Sequence, residues 1–188
     1  MSMDKNKLLA IIADEIKNCK ECQRDKNGVA VAGEGNSDAD IVFIGEAPGK
    51  KEAIEGRPFI GRSGQLLRSF IREIGLNETD VYITSPVKYL PDRGTPTSAD
   101  IAHGRIHLMK QFDVIKPKVV VLLGRVAAEG VLQKKVFVVK DHGQIIEERE
   151  GIKYFLTYHP AAVLRFPGKF KLFMKQDFEK IKSLVTKV

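Results

Sequence analysis

The chain of 188 residues lacks the features that would place it in a membrane or among secreted, disulfide-stapled proteins. No apolar run approaches the roughly 18 residues that read as a membrane span, and residues 1–7 are polar and charged. A soluble, cytoplasmic protein with no membrane partner is expected. Only two cysteines occur, Cys19 and Cys22, and they stand too close together to close a fold with a disulfide framework. No Gly-x-Gly-x-x-Gly follows an apolar strand with an acidic partner downstream, which argues against a Rossmann-type dinucleotide enzyme. Internal repeats and low-complexity linkers are also missing, so 1–188 reads as one domain, and 43% hydrophobic content suffices for its core.

Positive charge is in excess. The formal balance of +7, from 31 basic and 24 acidic residues, suits a polyanionic partner, because each phosphate neutralised by Lys or Arg releases condensed counterions. The plainer reading is a basic surface that aids solubility.

Helical and strand patterns alternate along the chain. Leu8, Leu9, Ile11, Ile12 and Ile16 mark an amphipathic helix, and 41–46 reads as a buried strand. Leu66, Leu67, Phe70, Ile71 and Ile74 share one helical face, with Gly75 as the expected C-terminal stop. A second strand is predicted over 81–87. Thr97 with Asp100 forms a capping-box pattern ahead of a helix that Pro117 must end. Residues 119–124 form a continuous apolar run, as expected of a parallel strand covered on both faces. Helix is expected over 126–132, short strands or a hairpin around Gly143 from 136–139 and 145–146, a fourth core strand at 154–158 and a last helix over 170–185. The predicted class is α/β: a three-layer α/β/α sandwich on a central, mostly parallel, four-stranded sheet.

Three segments carry the chemistry. The first strand runs into Gly45-Glu46-Ala47-Pro48-Gly49, which sets a lone carboxylate at the C-terminal edge of the sheet, where open α/β folds bind ligands. Pro58-Phe59-Ile60-Gly61-Arg62-Ser63-Gly64 follows, with glycines that permit close approach of backbone to a ligand or another element. The last core strand delivers Tyr158-His159-Pro160. In order and spacing these segments resemble the active-site motifs of uracil-DNA glycosylases, most closely the family 4 enzymes, over about Cys19 to Arg165.

The resemblance implies a DNA repair glycosylase that hydrolyses the N-glycosidic bond of uracil, or of another deaminated base, after flipping the nucleotide from the stack. Such a site must stabilise an oxocarbenium-like transition state and the charge on the departing base. By the resemblance Glu46 and His159 are catalytic, His159 donating to the base and Glu46 acting by electrostatics and positioning. Gly45, Ala47, Phe59 and Ser85 would bind the base, with Phe59 as the stacking platform. Gly61, Ser63, Val163, Leu164 and Arg165 would meet the DNA, with Val163 or Leu164 as the apolar wedge and Arg165 on a phosphate. A monofunctional monomer is implied, nucleoid-associated if the source is a prokaryote. The competing reading is a weak or inactive DNA-binding module that keeps the fold.

Two departures from the family pattern matter. Where the family reads uracil with an Asn after its second strand, this chain has Ser85 in Ser85-Pro-Val-Lys88-Tyr89. A hydroxyl is shorter than an amide and lacks its fixed donor-acceptor pair, so a pocket tolerant of another deaminated base, such as hypoxanthine, is one expectation. The family also holds a four-iron, four-sulfur cluster on four cysteines. Cys19 and Cys22 match the first pair, while Tyr89 and Gly104 occupy the positions of the second. The ordinary cluster is therefore expected to be absent, with no metal and the cysteine pair a vestige. His103 beside Gly104 leaves a mixed site of two cysteines and one histidine open, but Tyr89 is a poor fourth ligand and zinc is not expected there.

Overall fold

A computed structural model describes residues 4–185; residues 1–3 and 186–188 of the 1–188 span lie outside the described residues. Helix α1 (Lys5–Asn18) starts where the Asp4 carboxylate accepts from the Asn6 N–H, and α2 (Lys20–Gln23) follows directly. Short strands β1 (Lys26–Asn27) and β2 (Glu34–Gly35) precede β3 (Ile41–Ile44), α3 (Lys50–Glu55), α4 (Arg62–Glu73), β4 (Val81–Thr84) and β5 (Leu90–Pro91). Then come α5 (Ser98–Ile115), β6 (Val119–Leu123), α6 (Gly124–Leu132), α7 (Val138–Asp141), β7 (Gln144–Arg149), β8 (Ile152–Thr157), α8 (Pro160–Arg165) and α9 (Pro167–Val185).

Local signals explain most boundaries. Helix α4 ends at Ile74, after which Gly75 takes a left-handed φ of 84° at no steric cost. Helix α5 opens on a reciprocal box: Asp100 N–H donates to Thr97 Oγ1 at 3.1 Å, and Thr97 N–H donates to Asp100 Oδ2 at 2.7 Å.

The main sheet runs β2-β4-β3-β6-β8-β7. Its four central strands are parallel, as the apolar runs predict, but two antiparallel edge strands widen it from four strands to six. Both additions escape a hydrophobic pattern for a physical reason. Strand β2 is only two residues long, and β7 (Gln-Ile-Ile-Glu-Glu-Arg) is a largely exposed, charged edge of the kind that resists pairing with other chains. Residues 138–141 form α7 and not a strand, and β7 turns into β8 at Glu150-Gly151, beyond Gly143.

Alternation along the strands builds two half-cores. Ile41, Phe43, Val81, Ile83, Val119, Val121 and Phe155 pack against Leu67, Phe70 and Ile71 of α4 and Met174, Phe178 and Ile181 of α9. Val42, Ile44, Val120, Leu122 and Leu156 face Leu108 and Phe112 of α5 and Ala127, Ala128 and Val131 of α6. That is the three-layer sandwich. Each fully buried side chain such as Phe43 or Leu67 contributes about 1.5–3 kcal/mol against exposure.

The strand order also fixes where a ligand can bind. From β3 the chain moves to β4 on one side, then crosses back to β6 on the other, so the topological switch point lies at the carboxyl end of β3. Crevices open at such points in doubly covered sheets. Gly45 and Glu46 leave β3 there, Ser85 leaves β4, Arg125 follows β6 and His159 leaves β8.

Candidate active site

A cleft of about 370 Å³ sits at this edge, lined among others by Glu46, Ala47, Phe59, Ser63, Ser85 and His159. The three motifs, the last of them roughly a hundred residues beyond the other two, thus converge on one cavity. A more open groove of about 540 Å³ adjoins it, sharing Lys50, Glu52, Ser63 and Ala161 and adding Lys51, Gly61, Arg62, Leu164 and Arg165.

Phe59 is held in an unusual backbone state, φ 53°, which costs energy for a bulky side chain and concentrates at functional sites. Two glycines make the room. A Cβ on Gly64 would lie 1.9 Å from the Phe59 carbonyl oxygen, and one on Gly45 would lie 2.5 Å from its ring. Two side chains hold the strap. Glu52 accepts from the Ile60 and Gly61 N–H groups at 3.0 and 2.9 Å, and Arg68 donates to the carbonyls of Phe59 and Pro58 at 3.1 and 3.0 Å. Arg68 also pairs with Glu34 and Glu78. Burial alone would raise the Glu34 carboxyl, but hydrogen bonds from Arg57 and Arg68 bring it below its ordinary value. Glu52 and Arg68 are absent from the motif reading; Glu52, buried three residues beyond Gly49, is visible in the sequence only as one charged residue among Lys50 and Lys51.

His159 caps α8. Its Nδ1 accepts from the Ala161 N–H at 3.1 Å, which places the ring proton of the neutral form on Nε2. Although one side opens to the cleft, surrounding protein desolvates the ring and pushes its pKa down to about 4. The ring lies 6.0 Å from that of Phe59, tilted by 36°. Glu46 is half-buried: desolvation raises its carboxyl above the ordinary value, and the Arg125 guanidinium pulls the other way.

Ser85 is buried, and its hydroxyl donates to the Val87 carbonyl at 2.7 Å, leaving Oγ with lone pairs to offer. Behind it Lys88 is fully enclosed and donates to Ala32 O, Thr84 Oγ1 and Gln111 Oε1 at 3.0, 2.7 and 2.9 Å; burial pushes its pKa down to about 7. The two wedge candidates separate. Val163 is 1% exposed within the core beside α4 and α9 and has no surface to offer DNA, which corrects its assignment as a contact residue. Leu164 is 38% exposed and lines the basic groove with Arg165.

The four-cysteine cluster does not fit this chain. Tyr89 is buried, with its hydroxyl 3.3 Å from the Lys17 carbonyl, and a Cβ on Gly104 would lie 1.9 Å from the Pro86 carbonyl oxygen, so the backbone has closed over the fourth position. The donors regroup instead. Cys19, Cys22, His103 and His107 bring one ligand atom each to within 4.8 Å of one another. His107, a turn beyond His103 on α5, is the member that spacing from the family's cysteines misses.

A carboxylate, an aromatic ring and a neutral imidazole thus converge in one cleft beside a basic groove. The sequence profile of the uracil DNA glycosylase superfamily matches residues 32–182, so the chain belongs to that superfamily and is a DNA glycosylase, a hydrolase of N-glycosyl bonds. More particularly, it is 38% identical to the Type-4 uracil-DNA glycosylase of Thermotoga maritima over 187 residues, covering 97% of each chain. It is also 38% identical to the Type-4 uracil-DNA glycosylases of Saccharolobus solfataricus (95% of this chain, 87% of that one) and Archaeoglobus fulgidus (94% and 92%). Among the described residues no helix is long and apolar enough to cross a membrane.

Proposed function

We propose that the chain, as a single-domain monomer over 1–188, excises uracil from DNA by flipping the base into the 370 Å³ cleft and hydrolysing its glycosidic bond without a covalent enzyme intermediate. The observation that carries this is the meeting of Glu46, Phe59, Ser85 and His159 in one cavity that opens onto a groove flanked by Lys50, Lys51, Arg62 and Arg165. Phe59 stacks on the base, worth about 1–3 kcal/mol. Leu164 fills the gap left in the duplex, and Arg165, Ser63 and the Gly61 backbone meet phosphates.

As the bond breaks, negative charge spreads from the departing nitrogen onto the uracil carbonyl oxygens. The Nε2–H of neutral His159 donates to that developing charge. Glu46 stabilises the positive sugar and orients water toward it, with Gly45 and Ala47 shaping the wall beside the base. Ser85, its own hydrogen engaged by Val87, can only accept from the base. An acceptor at that point favours bases with a ring N–H, as uracil and hypoxanthine have, and disfavours cytosine, whose ring nitrogen there is itself an acceptor. None of these steps uses an iron–sulfur cluster.

Product analysis tests the proposal. Oligonucleotides carrying uracil should yield alkali-labile abasic sites, with no strand scission before alkali and no adduct trapped by borohydride, and hypoxanthine should be processed ahead of cytosine. Failure to form abasic sites from any deaminated base would leave a DNA-binding module; a borohydride adduct would assign Lys50, which lines the cleft, a covalent role instead.

A further inference from the structure

We propose that Cys19, Cys22, His103 and His107 bind one zinc ion tetrahedrally, joining the N-terminal helices to α5. The proposal concerns the donors alone and is independent of the reaction assigned to the cleft.

Three observations carry it. The spacing Cys-x2-Cys and His-x3-His falls within the pattern of structural zinc sites, which use thiolate and imidazole in closed four-coordinate sets. The geometry is already gathered: all four donors lie within 4.8 Å of one another, and Cys19 Sγ is 3.1 Å from His103 Nε2. Tetrahedral bonds of about 2.0–2.3 Å put donors about 3.3–3.8 Å apart, so a contraction of roughly 1 Å closes the shell. Finally, His107 is 7% exposed and its Nδ1 is the buried side-chain nitrogen or oxygen without a hydrogen-bond partner among the described residues. Leaving an imidazole nitrogen buried and unsatisfied is costly, and ligation of a metal through Nδ1 satisfies it.

The donor set also selects the metal. Two thiolates with two imidazoles in a tetrahedron suit zinc, whereas a four-iron cube ordinarily takes four thiolates spread over four separate irons, and Tyr89 and Gly104 offer none. The local construction supports a structural role. Cys19 ends α1 and begins α2, and its sulfur accepts from the Cys22 N–H at 3.2 Å. His103 and His107 project from one face of α5, a helix whose Gly104 lies against the Pro86 carbonyl of the loop that carries Ser85. Zinc would thus fix the layer behind the base-reading loop without touching the reacting atoms.

Metal analysis of the full chain, produced with both iron and zinc in the medium, tests the inference. One zinc per chain, and for the cobalt-exchanged protein the intense visible bands of tetrahedral Co(II) with a thiolate charge-transfer band, are the expected results. Zinc content should fall at least fivefold in His107→Ala, while His107→Cys, which restores a ligand, should keep it. Chelation should lower the melting temperature of the wild-type protein but not that of His107→Ala. A wild-type protein with under about a tenth of a zinc per chain, octahedral cobalt bands, or several irons with broad blue absorbance would overturn the proposal. Should His107→Ala fail to fold, the wild-type stoichiometry and the cobalt spectrum still decide it.

Discussion

His159 shows how a single residue's environment sets the chemistry available to it. An imidazole that ordinarily titrates at 6.5 and here does so at about 4 stays neutral throughout the working range, so its Nε2–H is available as a donor without a pH-dependent switch. Glu46 is shifted the opposite way, above its ordinary value, by the same desolvation. The acid limb of kcat/KM should therefore follow Glu46 and show no inflection near 6.5, a profile that Glu46→Gln should flatten. A stability consequence has a definite sign. Because the folded-state pKa of His159 is depressed, the unfolded chain binds the proton first; its contribution is present above about 6.5 and is lost as pH falls from there toward about 4. Urea denaturation at pH 7 and pH 5 should show the wild type losing about 1 kcal/mol more than His159→Gln, the figure being reduced for the ring's open face. Equal losses would mean that the ring is not desolvated.

At the scale of elements, the strap from Pro58 to Gly64 depends on what glycine leaves empty. Adding one carbon at Gly64 drives it into the Phe59 carbonyl, a backbone atom that cannot rotate away, whereas a methyl group on Gly168 would meet nothing within 4 Å. Gly64→Ala should cost about 1–3 kcal/mol by overpacking and slow base excision at least tenfold through the displaced Phe59, while Gly168→Ala should leave both within error. Calorimetry with single-turnover assays on the two variants separates these outcomes. The same elements mark what the sequence makes legible. The four parallel strands announce themselves because most of their residues are apolar and buried on both faces. Strands β2 and β7 do not, since short or charged edges carry no such signature. Glu46, Phe59 and His159 could be located because each abuts a turn with a fixed spacing. Glu52, Arg68 and Lys88 could not: their partners lie up to 56 residues away, and nothing local distinguishes a charge that will be buried. Nor could helical spacing alone join His103 and His107 to Cys19, which requires α1 and α5 to pack.

For the whole molecule, the two half-cores hold four strand ends in register, and three of them deliver Glu46, Ser85 and His159 to the cleft, while Phe59 comes from the strap between α3 and α4. Charge is disposed to match. The excess of +7 includes Lys50, Lys51, Arg62 and Arg165 around the groove that continues the cleft, a disposition that would draw a phosphate backbone to the face where the proposed mechanism has the base enter. In the proposed mechanism Glu46 and neutral His159 act on the transition state and not on the binding of DNA, and on this division of labour it stands or falls. Single-turnover excision from a uracil oligonucleotide, at low salt with enzyme saturating, tests it most directly when paired with binding measurements. Glu46→Gln and His159→Ala should each slow the chemical step by roughly 100-fold or more while changing Kd by no more than a few-fold. Rates equal to wild type in both variants, or losses accounted for by weaker binding alone, would contradict it.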